Sequence, residues 1–364
     1  MKVLSVVSRS AQTYNMSAEF LIPKERIPWR HLFLFGWMPS LLKVWSYRHL
    51  LGYRIGPRVR LGFGSAIVGN EVVIGEGVAV GFLTIVRGRR ITIGRHTHIG
   101  ATSYLLCETI EIGEDAKINE QVFVGGPMLP ESLFRLGSRT IVMQMCFLNP
   151  TKPLIIGDDT GIGGHCLIFT HSSWLNVLDG YPVAFEGVTL GTSVWLPWRV
   201  FVLPGAKIGD GSVIGANSLV QGEIPPSSLA VGSPAKVIRS APEFPRRIDQ
   251  AKQQEIVATI LADFDRFVAA SGVVCNGQGE YRRGRAAYWL YRRGPDDPLP
   301  AELTRETVVL SEARLSERDL ATLRGSGASW LDLSGRTRSR EGNALCEELA
   351  LFLSRYGMRL KRDA

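Results

Sequence analysis

The sequence predicts a mainly β protein built as a parallel β-helix solenoid, and three observations carry that reading. Isoleucine, leucine or valine returns every six residues, most cleanly at Leu190, Leu196, Val202, Ile208, Ile214 and Val220. An earlier run reads Ile55, Leu61, Val68, Ile74, Val80, Val86, Ile93, Ile99, Leu105, Ile112, Ile118 and Val124. A small or β-branched residue sits four positions after most of these, as at Thr84, Thr97, Ser103, Thr160, Cys166 and Ser212. Glycine often follows the aliphatic residue directly, as at Gly94, Gly113, Gly163 and Gly209. A short fixed period of this kind is the signature of stacked β-helix coils.

In extended chain, residues two apart point to one side, so the small residue and the aliphatic one two later both face inward. Glycine after the aliphatic residue is expected to let the chain turn a corner without a Cβ clash. Three such segments close a triangular coil, and coils stack at roughly 4.8 Å with their backbone groups paired. Ile55, Ile74, Ile93 and Ile112 recur at nineteen, so each early coil holds three hexads and one extra corner residue. The pattern amounts to roughly eight coils, enough for a continuous core.

Residues 1–54 are rich in aromatics and arginine, with Trp29, Phe33, Phe35, Trp37, Trp45, Tyr47 and Tyr53. A solenoid end needs a cover, so this segment reads as an N-terminal helical cap; a peripheral membrane contact is the alternative. Residues 55–240 form the solenoid, with two interruptions. The rhythm breaks at Gly125-Gly126-Pro127 and resumes at Leu136. After Ile168 the next corner is due at 174 but comes at Leu190, so roughly 171–187 leaves the prism as a loop, the kind of place where binding residues collect. Residues 241–300 read as a helical linker, with apolar helical spacing across 248–270 and a basic stretch from Tyr281 to Arg293. Residues 301–364 read as a small α/β extension, strand-helix-strand-helix.

The 364 residues carry a formal net charge of +8, for which a surplus of surface arginine or a basic face for a phosphorylated partner are the two readings. No basic helix with interleaved aromatics points to nucleic acid. Five cysteines without a CxxC argue against a disulfide framework or structural zinc. The N-terminus shows no secretory leader pattern, and the apolar run from Leu32 to Met38 is too short to span a bilayer, so a cytoplasmic protein is expected.

His96, His165 and His171 all fall at the fourth place of a hexad. His171 stands where the chain departs into the long loop, and a free imidazole there could take a proton from a hydroxyl or amine near neutral pH. It is the first candidate for a general base, with His165 second. A zinc reading in the manner of the γ-class carbonic anhydrases is disfavoured, because His96 and His98 lie roughly 14 Å along the axis from the later pair. No metal is expected.

The stretch Ile156-Gly-Asp-Asp-Thr-Gly-Ile162-Gly-Gly-His-Cys-Leu-Ile-Phe-Thr-His171 resembles the hexapeptide-repeat acyltransferases, as do Val194-Trp195, Ile208-Gly-Asp-Gly-Ser-Val-Ile-Gly-Ala-Asn-Ser218, Ile224-Pro-Pro, and Ala230-Val-Gly-Ser-Pro-Ala-Lys236-Val-Ile-Arg239. The similarity is to the branch with maltose, galactoside, virginiamycin and polysaccharide O-acetyltransferases, and is specific from 156 to 239. It implies a left-handed β-helix assembled as a homotrimer, with sites between neighbouring subunits and acetyl-CoA as co-substrate. His171 occupies the place of that family's base. Trp195, Gly215, Ala216, Ser218, Lys236 and Arg239 match coenzyme-binding positions. An auxiliary asparagine carried by some members two coils earlier is not placed, with Gln144 and Asn149 the candidates. Gln221-Gly222 replaces a usual Thr-Lys, and Pro197-Trp198-Arg199 replaces small residues on the acceptor side.

The expected chemistry is direct transfer of an acyl group, most simply acetyl, to a sugar or glycan hydroxyl, with backbone N–H groups holding the developing charge. Trp174, Tyr181, Phe185, Trp195 and Trp198 offer aromatic faces for a sugar, and Trp174, Trp198 and Arg199 are the substrate-side candidates. A glycan acceptor fits polysaccharide biosynthesis. N-acetyl transfer to an amino sugar or antibiotic, and a non-catalytic trimeric scaffold, are the alternatives.

Overall fold

The computed structural model of the chain describes residues 27–363. From Arg54 onward the chain winds into a parallel β-helix with three walls. Wall one is nine strands deep, from Arg54–Ile55 to Glu223–Ile224; wall two runs from Arg60–Leu61 to Leu229–Gly232; wall three holds eight strands, from Ala66–Val68 to Leu219–Val220. Ile55, Ile74 and Ile93 stand in register, followed by Ile112, Leu136 and Ile156, so the nineteen-residue spacing is one coil. The core is a column of these side chains, each of which contributes ~1.5–3 kcal/mol when fully buried. On wall three the inward residue of the first coil is Ile67 rather than Val68, so its extra residue lies in the following corner, as it does after Val86 and Leu105 in the next two coils.

The corners turn by a device other than the glycines that follow the aliphatic residues. Those glycines are not left-handed; they are glycine because the next coil runs too close, and a Cβ on Gly94 would meet the Gly113 carbonyl carbon at 2.5 Å. The left-handed residue is two places further on, at the fourth hexad position: Arg58, His96, Asp115, Asp159, His165, Ser193 and Arg199 all have φ between 55° and 60° or close to it. Most of these are not glycine, so the corner accepts the modest strain of a left-handed side chain in return for a polar outward group.

The small fifth residue does more than fill space. Thr84 Oγ1 donates to Gly100 O at 2.6 Å, Thr97 to Gly113 O at 2.6 Å and Thr160 to Gly191 O at 2.9 Å, each reaching the next coil. The thiols of Cys146 and Cys166 do the same, to Gly163 O at 3.1 Å and Pro197 O at 3.0 Å. The hydroxyls also accept a backbone N–H of that same next coil, as Thr160 does from Val194 at 3.1 Å. Outside, Tyr104, Phe123, Phe147 and Phe169 stack along wall three with centroids 4.9–5.4 Å apart, and Phe201 meets Phe169 edge to face at 5.5 Å.

Helix α1, Ser40–His49, closes the N-terminal end of the prism. Tyr47 is fully buried, and Lys43 Nζ donates to Gly36 O, Gly62 O and Ser65 O at 2.8–3.2 Å, satisfying carbonyls that no further coil covers. Residues 1–26 of the expected cap lie outside the described residues. Beyond the prism, α2 (Gln250–Ala270) and α4 (Ala344–Ser354) cover one face of a seven-stranded sheet and α3 (Glu317–Ser326) the other. Val308 and Leu310 face the first pair of helices, Val309 the third. The basic stretch expected as part of a helical linker is instead a hairpin of that sheet, Glu280–Arg283 with Ala286–Arg293; Tyr281, Tyr288 and Leu290 pack on one face and Tyr291 on the other, while the arginines gather at the turn and at the strand end. This unit is held to the prism edge between walls one and two: Arg362 Nε meets Asp115 Oδ1 at 3.2 Å, Arg359 Nη1 donates to Asp159 O at 3.0 Å, and Arg58 meets Glu341 at 3.1 Å. Among the described residues no helix is long and apolar enough to cross a membrane.

Thr160→Val keeps the volume of a fully buried residue but strands Gly191 O and Val194 N–H, so we expect a loss of ~1–3 kcal/mol. Thermal melts should show a Tm lower by several degrees, with Thr160→Ser restoring most of it; an unchanged Tm for Thr160→Val would contradict the ladder.

Candidate active site

The three histidines at the fourth hexad place lie on three different edges of the prism. His96 sits between walls one and two, His165 between walls two and three, and His171 between walls three and one. His96 and His165 hold the left-handed corner conformation, with φ of 57°. His171 does not. On the next coil its place is taken by Gly205 at φ 78°, whereas His171 opens a short antiparallel hairpin, with His171 opposite Phe185 and Ser172 opposite Ala184. The chain leaves wall three after Thr170 and returns through Glu186, whose N–H donates to Thr170 O at 3.0 Å, so the insertion closes flush on the prism.

His171 is held by what the coil before it supplies. Its Nδ1 lies 3.1 Å from Asn149 Oδ1. That oxygen also accepts the Thr151 backbone N–H at 3.2 Å and the Thr151 hydroxyl at 2.7 Å. A backbone N–H can only donate, which fixes the amide with its oxygen toward His171. Nδ1 therefore carries the proton and Nε2 keeps its lone pair, the form a general base needs. The Phe185 ring stacks on the imidazole at 5.6 Å and 25°. Desolvation lowers the His171 pKa below its ordinary 6.5, so the ring is neutral at pH 7.

Asn149 and Gln144 are the two candidates for the auxiliary asparagine that the family resemblance implies two coils earlier. The structure puts Asn149 one coil back, on the strand Phe147–Asn149, directly opposite Phe169. The available signal was the coil length: Leu148 and Ile168 are in register, so the residue after Leu148 lies beside the residue after Ile168. Gln144 sits instead on the edge above His165, where its carbonyl accepts the His165 N–H at 3.2 Å. The first break in rhythm belongs to the same arrangement. A Cβ on Gly126 would meet Asn149 Oδ1 at 2.6 Å and Thr151 Oγ1 at 2.7 Å, so glycine there makes room for the asparagine that holds the histidine.

The other sequence candidates distribute as follows. Trp198 and Arg199 lie beside His165, not His171: the Trp198 and His165 rings are 5.6 Å apart, and Arg199 N–H donates to Gly164 O. Gly215 and Ala216 share that edge. The Ser218 side chain faces inward and accepts Gly232 N–H at 3.0 Å, leaving only its backbone outward. Lys236 and Arg239 are exposed on Ala235–Arg239, the strand that closes wall two. Trp195, also on wall two, is 55% exposed and lines a cleft against the C-terminal unit rather than standing near His171. Trp174, at the tip of the hairpin loop, is 95% exposed, and Leu175, Val177, Leu178, Tyr181 and Phe185 are exposed with it. Among the described residues no group of three histidine, cysteine or acidic side chains could hold a metal ion.

No family model matches the chain. A Staphylococcus aureus protein named as an acetyltransferase is 48% identical over 75 residues, 21% of this chain and 35% of that one. A Mycobacterium tuberculosis protein so named is 30% identical over 145 residues, 38% of this chain and 47% of its own length. The chain thus spans about a third to a half of the length of these curated relatives. A solved hexapeptide-repeat acetyltransferase of Vibrio cholerae, complexed with acetyl coenzyme A, aligns over 58% of this chain and 83% of that one at 18% identity, with a TM-score of 0.27. The chain is similar to the hexapeptide-repeat acetyltransferases, the resemblance its own repeats and motifs carry.

Replacing Asn149 by aspartate would face Nδ1–H with a carboxylate and favour the imidazolium. A base must be neutral to act, so the acid limb of a pH–rate profile should lie below 6.5 in the parent protein and move upward in Asn149→Asp. An acid limb that does not respond to position 149 would contradict this geometry.

Proposed function

We propose that the chain is an acyl-CoA-dependent O-acyltransferase, most simply an acetyltransferase, that acts on a sugar or glycan hydroxyl with His171 as general base. The observation that carries this reading is the His171–Asn149 pair: a neutral imidazole, its Nδ1–H spent on a buried amide oxygen and its Nε2 left free beside a loop rich in exposed aromatic side chains. The names of the curated relatives support acetyl transfer as the class.

In this mechanism acetyl-CoA supplies the activated acyl group as a thioester. His171 Nε2 takes the proton of the acceptor hydroxyl as its oxygen bonds to the acyl carbon, and the thiol leaves with the proton returned to it. The imidazolium formed on the way is stabilised by Asn149 Oδ1 at Nδ1–H. A hydroxyl is a weak nucleophile while protonated and depends on such a base, whereas a neutral amine depends on it less; this favours O-transfer over N-transfer. Gly215, Ala216, the Ser218 backbone, Lys236 and Arg239 form the proposed coenzyme track along wall two and its edge toward wall three. Trp195, read from the sequence as part of that set, stands on wall two as well, in register with Val213, and its ring also lines the cleft against the C-terminal unit.

Within one chain the coenzyme track and His171 flank wall three from opposite edges. A second copy that brings its own edge against the His171 hairpin would unite them and would cover Trp174, Leu178 and their neighbours, whose exposure is costly in a lone subunit. A homotrimer satisfies this for all three copies at once. His165, with Trp198 and Arg199 beside it, then has an acceptor-side role rather than that of the base.

Thiol release from acetyl-CoA with a panel of glycan acceptors tests the proposal. His171→Ala should lower kcat by ~10²–10⁴-fold while acetyl-CoA still binds. No His171-dependent release with any acceptor, together with no acetyl-CoA binding, would instead favour a trimeric scaffold. Sedimentation should give a trimer; a monomer would contradict the shared site.

A further inference from the structure

The docking of the C-terminal unit on the prism leaves a cleft of about 870 Å³ on the edge between walls one and two, the side of the molecule opposite wall three. Its chemistry is cationic and aromatic. Arg336, Arg355 and Arg359 line it, and among the described residues none of the three stands in an ion pair, although the charge of Asp159 is felt by Arg359. Arg359 spends Nη1 on the Asp159 carbonyl, and its Nε is buried without a partner among the described residues, so only the remaining guanidinium N–H groups can face the cleft. Arg355 has one face covered by Phe267, 4.3 Å from the ring centroid, and by Phe352 at 5.0 Å, which leaves its in-plane N–H donors free. The one carboxylate in the lining, Asp159, is neutralised by Arg139 at 2.7 Å. Trp195 and Tyr356 provide half-exposed ring faces, and the Tyr356 hydroxyl is engaged by Asp263 at 2.9 Å.

We infer that this cleft binds a nucleoside diphosphate, with its phosphates on the three arginines and its base or ribose against Trp195 or Tyr356. Planar guanidinium groups match phosphate oxygens in pairs, and three without competing carboxylates suit a polyphosphate better than a single carboxylate ligand. The volume suits one nucleotide: it exceeds what a bare phosphate needs and lies within the span of small-molecule sites. The inference concerns binding and does not rest on the transfer reaction. The nucleotide could be the adenine end of a coenzyme or the carrier of an activated sugar, since both present the same diphosphate and ring.

Isothermal titration of the full chain with ADP, UDP, coenzyme A and inorganic pyrophosphate tests it. ADP or UDP should bind with a Kd of ~0.1 mM or lower. Arg336→Ala/Arg355→Ala should weaken that at least ~tenfold, since it removes two phosphate partners from exposed positions. Arg336 holds a left-handed φ of 53°, so Arg336→Asn, a residue that tolerates that conformation, serves as a second variant should the first fold poorly. Displacement of ADP by coenzyme A would place the coenzyme's adenine end here; tighter binding of UDP, untouched by coenzyme A, would place a nucleotide-linked acceptor here. No nucleotide binding at ~1 mM, binding indifferent to the arginine variants, or pyrophosphate binding as tightly as either nucleotide would overturn the inference.

Discussion

The register of one coil on the next is the constraint from which everything else in the prism follows. Backbone pairing alone would allow neighbouring coils to slip, since a parallel ladder looks much the same one pair of residues along. The fifth-place hydroxyls and thiols remove that freedom. Each reaches a specific carbonyl of the next coil and, where it is a hydroxyl, accepts a specific N–H of that same coil, so a slip would leave several buried polar groups unpaired at once. Aliphatic side chains fill the axis, but the small polar residues hold each coil in step with its neighbours.

The candidate site is that register put to use. Three successive coils contribute Gly126, Asn149 and His171, none of them close to another in sequence, and each meaningful only because of its height in the stack. The two interruptions that look unrelated along the chain are one feature in space: the first opens room for the asparagine, and the second releases the histidine from the left-handed corner that His96 and His165 occupy. Corner geometry points those two side chains outward on other edges, whereas the hairpin lays the His171 ring against Phe185 and within reach of an amide below.

Much of this was legible in the residues. The period of six, the nineteen-residue coil, the departure near 171 and the helical cap around α1 all follow from aliphatic spacing and aromatic content. The structure differs where a property depends on contact rather than on period. Val68 and Ile67 are both aliphatic neighbours, and only the position of the extra corner residue decides which one points inward. Glycine after the aliphatic residue suggested a turn, but it is required by the nearness of the coil beyond, while the turn is made two residues later. Trp198 and Arg199, expected on the acceptor side, stand beside His165, and the triangular section puts that edge apart from the one His171 occupies. The hairpin Glu280–Arg293 was hidden because both faces of its second strand carry apolar or aromatic residues, so no clean period of two shows, and the cleft against the prism required knowing where a separate unit docks.

The claim at the centre of this account is that the coil before His171 holds its ring by Nδ1, through Asn149, and leaves Nε2 free. Nitrogen-15 NMR of the protein labelled at its six histidines reads that directly. The account expects the His171 resonances to report the Nδ1–H tautomer, titrating below 6.5, with the tautomer preference lost in Asn149→Ala. An Nε2–H tautomer in the parent protein, or one insensitive to residue 149, would contradict it.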